Sequence, residues 1–448
     1  MLTRPQISQI AEKMRTSGHM LLLIGLLLFA QQPSNLRQEI GKIIVAPGQG
    51  PALAIADFVP RNEPAIPAAA LIRQVLAQDL DFARVANLLG QSLYPPNRPA
   101  DPEQVDFAAW GSDPTRADYL VFGNVSLIGQ ELIVEAYLYD VQARQRLYAR
   151  QHRFPIGQAR RAAHVIADEI VKTLTGLDGI ATSRIAFVSG QGRQSEIYVM
   201  DYDGANVRPF TRDGSTALFP SWSPDGRKIA YVSLLTGVPN IHIRSYPEGV
   251  PLPFPHFPQG TTISPVFSPD GRWIAFCSSK DSNSTQLYVA SADGSIIRQL
   301  TNERGVIHSS PRWNPRTGRE IAFISNRSGT PQIYIIDVEG ANLRRVLDRG
   351  GFADSPAWSP DGRFLAFAWR PPQASRFDIF LMDVATGEIV QLTDGPGSNE
   401  SPSWAPNGRH LAFQSDRTGR FEIYLMHIDG TGVRQITHIG GRSPAWAR

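Results

Sequence analysis

The composition of this 448-residue chain is ordinary for a soluble globular protein, and its charge pattern argues against a nucleic-acid-binding role. Hydrophobic residues make up 42% of the chain and charged residues 19%, and the length allows two or three domains. The net charge is only +3, and the basic residues are dispersed rather than clustered. The single cysteine, Cys277, lies in an apolar run, so we expect a buried thiol and a fold without disulfides.

The first thirty residues, 1–30, predict a secretory signal peptide. Their apolar stretch, residues 20–29, is about half as long as the roughly 20 residues that a membrane-spanning helix needs. The residues before this stretch are basic, as in a signal peptide: Arg4, Lys13 and Arg15. We therefore expect export of the chain, with an uncleaved N-terminal anchor as the alternative, and with either Met1 or Met14 as the start.

Residues 31–177 predict a small α/β domain. Short apolar runs predict strands, and segments with apolar residues at helical spacing predict helices. The predicted strands are 51–58, 118–125, 131–140 and 147–154, and the predicted helices are 66–80 and 160–175. Gly176 follows the second helix at the position of a C-cap glycine, and residues 178–183 form a linker to the rest of the chain.

From residue 184 onward the chain repeats one short sequence motif six times, at intervals of about 45 residues. The motif is an apolar run of the form Ile/Leu-Ala-aromatic, which begins at Ile185, Ile229, Ile274, Ile321, Leu365 and Leu411. Most copies follow a Pro-x-aromatic piece and a tight turn such as Ser-Pro-Asp-Gly, and precede an Ile-Tyr-like strand. A repeat of this length, with short strands and Gly/Pro turns, predicts the blades of a β-propeller.

The phase of the repeats predicts how the ring closes. The first apolar run has no Pro-x-Trp piece before it, and the last such piece, ending at Trp446, has no apolar run after it. Pairing of the C-terminal strand with the first blade would remove an open sheet edge. The predicted fold is a six-bladed all-β propeller over residues 184–448, closed by its C-terminal strand. We expect the Pro-x-aromatic strand to be innermost, with its ring packed between neighbouring sheets.

Catalytic motifs of other propellers are missing from the sequence. It has no Gly-x-Ser-x-Gly elbow, no Ser-x-Asp-x-Gly-x-x-Trp box and no histidine, cysteine or glutamate pairing at metal-ligand spacing. The aspartates of the repeated turns stand directly before glycine and are interpreted as turn formers: Asp225, Asp270 and Asp361. We therefore expect no enzyme activity, no cofactor and no bound metal. A hydrolase whose site the sequence does not reveal is the weakest alternative.

The loops that come before the inner strands are the candidate binding surface, because they should meet at one mouth of the central channel. Varied loops on a rigid ring make a preferred docking face. The candidates two residues before the repeated proline include Ser309, Asp354, Glu400 and Arg442, and their polar neighbours, not expected in the core, are Thr262, His308, Ser310 and Asn399. For any one of these residues, the simple alternative is that it solvates the end of a loop.

Four segments ahead of the propeller carry a resemblance to a known family: residues 106–110, 117–125, 138–141 and 163–176. Together with the Ser-Pro-Asp-Gly-Arg turns they resemble the TolB family, exported propeller proteins of the bacterial Tol-Pal envelope system. The likeness runs from about residue 40 to the C-terminus.

The resemblance implies a non-enzymatic periplasmic protein that supports outer-membrane integrity and constriction during cell division. Family members bind the peptidoglycan-associated lipoprotein Pal through the propeller mouth, which implies that role for the eight mouth candidates. They bind the inner-membrane protein TolA through the segment after the signal peptide, here residues 32–45, with the candidates Glu39, Ile40, Ile43 and Ile44. This segment lacks the family's short acidic-apolar box. We expect a monomer, and a TolB-like propeller that binds another envelope protein or a polysaccharide is the alternative.

Overall fold

The computed structural model describes residues 35–43, 49–191 and 194–447. The predicted signal peptide and Ile44 lie outside these residues. Within them, no helix has the length and apolar character that crossing a membrane requires. The described chain forms a short N-terminal helix, a small α/β domain and a six-bladed β-propeller, so the predicted fold class is confirmed.

The α/β domain is one five-stranded sheet with two long helices. The helices of the described chain are α1 (Asn35–Ile43), which precedes the domain, α2 (Ile66–Ala83), the short α3 (Phe107–Gly111) and α4 (Ala159–Thr175). The strands of the sheet are β1 (Ala52–Pro60), β2 (Asn87–Leu88), β3 (Tyr119–Ile128), β4 (Glu131–Asp140) and β5 (Gln145–Pro155). Their order is β2-β1-β3-β4-β5, with β1 parallel to both of its neighbours and the other pairs antiparallel.

Helices α2 and α4 are held to the sheet by the apolar faces that their sequences predict. Ile72 and Leu76 of α2 and Ile166 and Ile170 of α4 are fully buried in one core with the sheet. Gly176 ends α4 with a φ angle of 73°, and its N–H closes the last turn of the helix. The predicted C-cap glycine is therefore confirmed.

Each blade of the propeller is a four-stranded antiparallel sheet whose strands follow one another from the channel outward. In that order, blade 1 holds β29 (Arg442–Ala447), β6 (Arg184–Gln191), β7 (Gln194–Asp201) and β8 (Arg208–Pro209). Blade 2 holds β9 (Ala217–Trp222), β10 (Lys228–Ser233), β11 (Asn240–Ser245) and β12 (Pro251–Leu252). Blade 3 holds β13 (Thr262–Phe267), β14 (Trp273–Ser278), β15 (Gln286–Ser291) and β16 (Ile297–Gln299).

The other three blades have the same layout. Blade 4 holds β17 (His308–Trp313), β18 (Glu320–Ser325), β19 (Gln332–Asp337) and β20 (Arg344–Arg345). Blade 5 holds β21 (Phe352–Trp358), β22 (Phe364–Arg370), β23 (Asp378–Asp383) and β24 (Ile389–Gln391). Blade 6 holds β25 (Asn399–Trp404), β26 (His410–Ser415), β27 (Glu422–His427) and β28 (Arg434–Gln435).

The ring closes through the C-terminal strand, as the phase of the repeats predicts. Strand β29 pairs antiparallel with β6, and Trp446 lies opposite Ile185. Indole groups of the inner strands also join neighbouring blades. The Nε1 atom of Trp404, for example, donates a hydrogen bond of 2.9 Å to the carbonyl oxygen of Ala357 in the preceding blade. The expected packing of these rings between adjacent sheets is confirmed, since most of them are buried.

The Asp-Gly turns follow the inner strands of blades 2, 3 and 5, and their aspartates form the turns. In blade 2, Oδ1 of Asp225 accepts hydrogen bonds from Oγ of Ser223 at 2.5 Å and from the N–H of Arg227 at 3.0 Å. The bond from Ser223 lowers the pKa of the Asp225 carboxyl. Gly226 has a φ angle of 67°, which favours glycine. The interpretation of this aspartate as a turn former is confirmed.

The α/β domain covers the end of the propeller that carries these turns, which we call the domain face. At the end of α2, the carbonyl oxygen of Phe82 accepts hydrogen bonds of 3.0 Å from Nε2 of both His410 and His427. The guanidinium of Arg434 lies 3.6 Å from the centre of the Phe82 ring. The opposite end of the channel, where the loops before the six inner strands meet, is called the mouth.

Candidate functional site

The mouth brings together most of the residues that the sequence predicts as a binding face. Asp354 and Arg442 are exposed there, and Ser309, Ser310 and Glu400 are half-buried. All five come from the starts of the inner strands of blades 4, 5, 6 and 1. Because these blades are neighbours around the ring, the five residues form a polar arc along one side of the mouth.

A bulge in every inner strand shapes the channel below the mouth. The ladder between the first and second strands shifts beside the repeated proline in all six blades. The residue before the proline has a left-handed φ angle of 49° to 56° in each blade: Phe219, Ser264, Ser310, Ser355, Ser401 and Ser443. Proline suits a bulge because it has no N–H to leave unpaired. The repeated Ser-Pro pair is thus the sequence signal of a constriction in the channel.

Among the described residues that line this constriction, only Arg312 is charged. It stands where the other blades carry serine, valine or alanine. It also lines a wider cavity of 420 Å³ on the side of the domain face, which is ringed by the aromatic residues of the inner strands. Burial lowers the pKa of Arg312, and the charge of Asp354 opposes that shift. A positive charge therefore lies beneath the carboxylates of the mouth.

Three charged groups of the polar arc act on one another: the carboxylates of Asp354 and Glu400 and the guanidinium of Arg442. Burial raises the pKa of the Asp354 carboxyl, against a 2.7 Å hydrogen bond from the N–H of Ser355. Burial also raises the pKa of Glu400, and the charge of Asp354 adds to that shift. Gln414 and Arg442 oppose it, the first through a 3.1 Å hydrogen bond. The two acids therefore lie close enough to interact.

Three of the predicted mouth residues lie in the core, so the expectation that they stay outside it is wrong. Thr262, His308 and Asn399 begin their inner strands and are fully buried. The hydroxyl of Thr262 bonds that of Ser278 at 2.8 Å, and Nδ2 of Asn399 donates to Oδ1 of Asp378 at 2.8 Å. Each of these three residues comes one position before a half-buried residue of the same strand, namely Ile263, Ser309 or Glu400. These three residues support the mouth and offer it no exposed surface.

His308 is held as a neutral ring. Neither of its nitrogens has a hydrogen-bond partner among the described residues, and its ring stands edge-on to Phe323 at 5.2 Å. Burial, with the nearby charge of Arg327, lowers the pKa of His308 to about 4. The ring therefore serves as packing below the mouth at neutral pH.

A polar side chain near the start of each third strand holds a mouth loop by hydrogen bonds, a role that the sequence did not predict. These residues are Glu196, Asn240, Gln286, Gln332, Asp378 and Glu422. In blade 3, Gln286 donates to the carbonyl oxygens of Glu303 at 3.0 Å and Val306 at 2.9 Å and accepts from the N–H of Glu303 at 3.0 Å. The signal for them is a polar residue directly before the repeated Ile-Tyr pair. These hydrogen bonds fix the conformation of the mouth loops before any partner binds.

An apolar pocket of 270 Å³, which the sequence did not predict, opens beside Asp354 between blades 4 and 5. Its wall includes Ile307 and Phe352, whose exposed fractions of 53% and 37% are high for such large apolar residues. The guanidinium of Arg370 lies 4.5 Å from the centre of the Phe352 ring. The sequence signal for the pocket is an apolar residue within a polar loop. The mouth thus offers an apolar pocket next to its acidic group.

The predicted TolA-facing residues lie on α1, which is seated on the domain face between blades 5 and 6. Leu36 and Ile40 are each only 2% exposed and share one cluster with those blades. Ile43 is half-buried against the same cluster. Glu39 faces the guanidinium of Arg363 at 3.3 Å. The apolar face of the segment is therefore covered by the propeller.

One group of side chains in the described parts of the chain has the spacing of a metal site: Asp79, His164 and Asp203. It lies between the α/β domain and blade 1. Nδ1 of His164 lies 2.7 Å from one oxygen of Asp79, and the hydroxyl of Tyr202 donates to the other at 2.6 Å. Because both carboxylate oxygens of Asp79 are already bonded, the group serves as a contact between the two domains.

The fold defines a two-domain propeller protein with an open mouth, and comparisons with known proteins identify its family. Residues 38–147 match the TolB amino-terminal domain, and residues 171–351 and 346–447 match the TolB beta propeller domain. The chain is 33% identical over 318 residues to the Tol-Pal system protein TolB of Bordetella pertussis, which covers 70% of this chain and 69% of that protein. The chain therefore belongs to the TolB family of the Tol-Pal system, as the resemblance predicts.

Two further comparisons agree with this family. The Tol-Pal system protein TolB of Ruegeria sp. is 36% identical over 230 residues, which is 50% of each chain. The crystal structure of TolB from Acinetobacter baumannii matches with a TM-score of 0.77 and 28% identity, over 90% of this chain and 98% of that one. The similarity thus extends over both domains.

Proposed function

We propose that this chain is a non-catalytic periplasmic adaptor that binds the lipoprotein Pal through its mouth and supports outer-membrane integrity and constriction during division. Family membership supports the Tol-Pal assignment. The observation that carries the proposal is the open mouth, on which Asp354, Glu400 and Arg442 stand on loops held from below by hydrogen bonds to buried or half-buried side chains. Rigid loops reduce the entropy cost of binding a folded partner.

The chemistry of the mouth indicates what the bound surface of the partner should carry. A basic side chain would meet Asp354 and Glu400, which interact with each other and lie near Arg442. An apolar side chain would fill the pocket at Ile307 and Phe352. Together these features favour a protein surface with a cation beside an apolar residue.

We include TolA as a second partner, bound through the segment that contains Glu39, Ile40 and Ile43. Since Ile40 is buried against the propeller, this segment offers only its polar face while α1 stays seated. Binding of TolA through the apolar residues would require α1 to leave its position. The interaction should therefore compete with the seating of α1.

Charge reversal at the mouth tests the Pal proposal. Binding of the organism's own soluble Pal to the mature protein is measured by calorimetry for the wild type and for the double variant Asp354→Lys/Glu400→Lys. We expect the variant to bind about tenfold more weakly or worse, because truncating or reversing interface charges commonly costs about 2 kcal/mol or more. The control is Glu63→Lys/Glu131→Lys, which makes the same charge change at exposed positions on the α/β domain.

Two results would contradict the proposal. If the wild-type protein does not bind Pal, the alternative of another envelope protein or a polysaccharide takes its place. If the mouth variant and the control bind Pal equally well, Pal binds elsewhere on the chain and our site is wrong. Unfolding curves of both variants show whether either result comes from loss of structure.

A further inference from the structure

A second groove on the domain face has the layout of the one that α1 occupies. It lies between blades 3 and 4, has a volume of 520 Å³ and includes Trp273, Val289, Trp313 and Val338 in its lining. Trp313 and Val289 are largely buried at its base, and Trp273 and Val338 are half-buried at its sides. We call it the blade 3–4 groove.

The repeat makes the blade 3–4 groove the counterpart of the α1 seat, position by position. Trp273 begins the second strand of blade 3, as Phe364 begins that of blade 5. Arg272 ends the turn before it, as Arg363 does in blade 5. Val338 follows the third strand of blade 4, as a buried isoleucine does in blade 6. The two grooves are therefore walled by corresponding positions of the repeat.

The occupied groove shows which kind of segment such a groove accepts. Helix α1 places Leu36 and Ile40, four residues apart, against the two blades. Its first turn is held by a 3.1 Å hydrogen bond from the N–H of Leu36 to Glu388, and Glu39 pairs with Arg363. An amphipathic helix with two aliphatic residues one turn apart and an acidic residue beside them is thus a suitable occupant.

The two grooves differ in charge. In the α1 seat, Val390 is buried beneath the helix. The corresponding residue of the blade 3–4 groove is Arg298, whose guanidinium pairs with Glu339 at 2.9 Å. Arg316 and Arg319 line the same groove, are exposed, and form no ion pair among the described residues. The groove is lined by four arginines and two acidic residues, so its field is positive.

We propose that the blade 3–4 groove binds an acidic amphipathic helix of a partner protein, which sets two aliphatic side chains on Trp273 and Val338 and carboxylates against Arg316 and Arg319. The positive charge selects an acidic helix over a second copy of α1, which carries both basic and acidic residues. The site lies on the opposite end of the propeller from the mouth. Both ends can therefore be occupied at once.

Binding of a designed peptide tests this proposal on the mature, full-length protein. The probe is a fluorescein-labelled peptide of about 15 residues, rich in alanine and glutamate for helicity, with a leucine and an isoleucine four residues apart. Binding is followed by fluorescence anisotropy. We expect Arg316→Glu/Arg319→Glu to weaken binding about tenfold, because two attractive charges become repulsive. The control Arg161→Glu/Arg227→Glu reverses two other exposed arginines and should leave binding within about twofold.

A third variant separates the two grooves. Arg363→Glu alters the α1 seat and should leave peptide binding unchanged. Loss of binding in that variant, with no effect of Arg316→Glu/Arg319→Glu, would place the peptide in the α1 seat and overturn the proposal. The proposal also fails if the acidic peptide does not bind, or if a lysine peptide with the same aliphatic residues binds equally well. A dimer that the Arg316→Glu/Arg319→Glu variant abolishes would assign the groove to another copy of the chain instead.

Discussion

The hydroxyl of Tyr202, in the first blade of the propeller, donates a hydrogen bond of 2.6 Å to Oδ1 of Asp79, in helix α2 of the α/β domain. Both residues are almost completely buried, and burial raises the pKa of each. His164 of α4 bonds the other oxygen of the same carboxylate. One buried carboxylate therefore holds two helices and the propeller together.

Replacement of Asp79 by asparagine should weaken the docking of the two domains. The change keeps the size of the side chain but removes the charge that His164 faces, and we expect a loss of about 3 kcal/mol, as when one partner of a buried pair is removed. The measurement is calorimetric unfolding, in which a single transition should shift downward or split into two. Tyr202→Phe, which removes only the hydroxyl, should cost about 1–2 kcal/mol. An unchanged profile for Asp79→Asn would show that this contact does not hold the domains together.

Two buried histidines should make domain docking sensitive to acid. Burial lowers the pKa of both His410 and His427. The nearby positive charges of Arg84, Arg409 and Arg434 lower these pKa values further, and the negative charge of Asp429 opposes them. Because their folded-state pKa lies below the unfolded value of about 6.5, their contribution to stability is complete above that pH. It is lost as the pH falls from there toward the folded-state values.

His164 acts in the opposite direction at the same interface. Burial alone would lower its pKa, but the hydrogen bond and charge of Asp79 outweigh burial and raise it. The contribution of His164 to the stability of the folded state is therefore complete below about pH 6.5, and it is lost as the pH rises through the folded-state pKa of His164. At this interface two histidines oppose one, so we expect the docking of the two domains to weaken between about pH 6.5 and 5.

The double variant His410→Asn/His427→Asn tests the acid sensitivity. Asparagine keeps an N–H donor for the carbonyl of Phe82 but does not titrate, so the fall in the unfolding midpoint toward pH 5 should become smaller. Unfolding midpoints are measured by calorimetry at several pH values. His438→Asn, a change at an exposed histidine, should keep the wild-type slope. Equal slopes for all three proteins would contradict the assignment to the buried pair.

Replacement of Gln286 by leucine should loosen one mouth loop while the blade stays folded. The variant keeps a side chain of similar size but loses three hydrogen bonds to Glu303 and Val306, and we expect a cost of about 2 kcal/mol. Hydrogen exchange should rise in residues 302–307 and remain unchanged in the neighbouring strands. Gln299→Leu, at an exposed glutamine, is the matched control. Unchanged exchange in the loop would show that other contacts hold it.

Replacement of Ile40 by aspartate should release α1 from the propeller. The change places a charge where Ile40 is 2% exposed and removes an apolar contact that is worth about 2 kcal/mol or more. Trypsin should then cleave after Lys42 much faster, while the unfolding temperature of the propeller stays nearly constant. Gly41→Asp adds the same charge at an exposed position with no atom within 4 Å of the new Cβ atom, so it should remain protected. Equal protection of the Ile40→Asp variant would mean that α1 does not depend on this contact.

Much of the fold could be predicted because its signals are local and repeated. The apolar run at Ile185 and its five counterparts has a fixed spacing, so strand order within a blade follows from the chain. Gly176 caps the C-terminus of a helix and Asp225 forms a turn, as their residue types predict. These residues depend on neighbours within a few positions, which is why sequence patterns describe them well.

The mouth was predicted only in part, because burial depends on contacts that the chain makes far along its length. Asp354 and His308 both precede the repeated proline in a polar loop, yet one is exposed and the other is fully buried. A one-residue offset along a strand decides between the two sides of a sheet. Gln286 shows the same difficulty, since its partners lie about twenty residues away in the next loop.

The sequence by itself determined the number of blades, the closing strand, the turns and the family, since each is encoded by short repeated patterns or ordered motifs. The tertiary structure alone decided which polar residues reach the mouth, because a bulge at each Ser-Pro pair resets the strand there. It also decided that α1 lies on blades 5 and 6 and that Asp79 joins the domains. Those contacts join residues more than a hundred positions apart, and only the packed ring brings such residues within bonding distance.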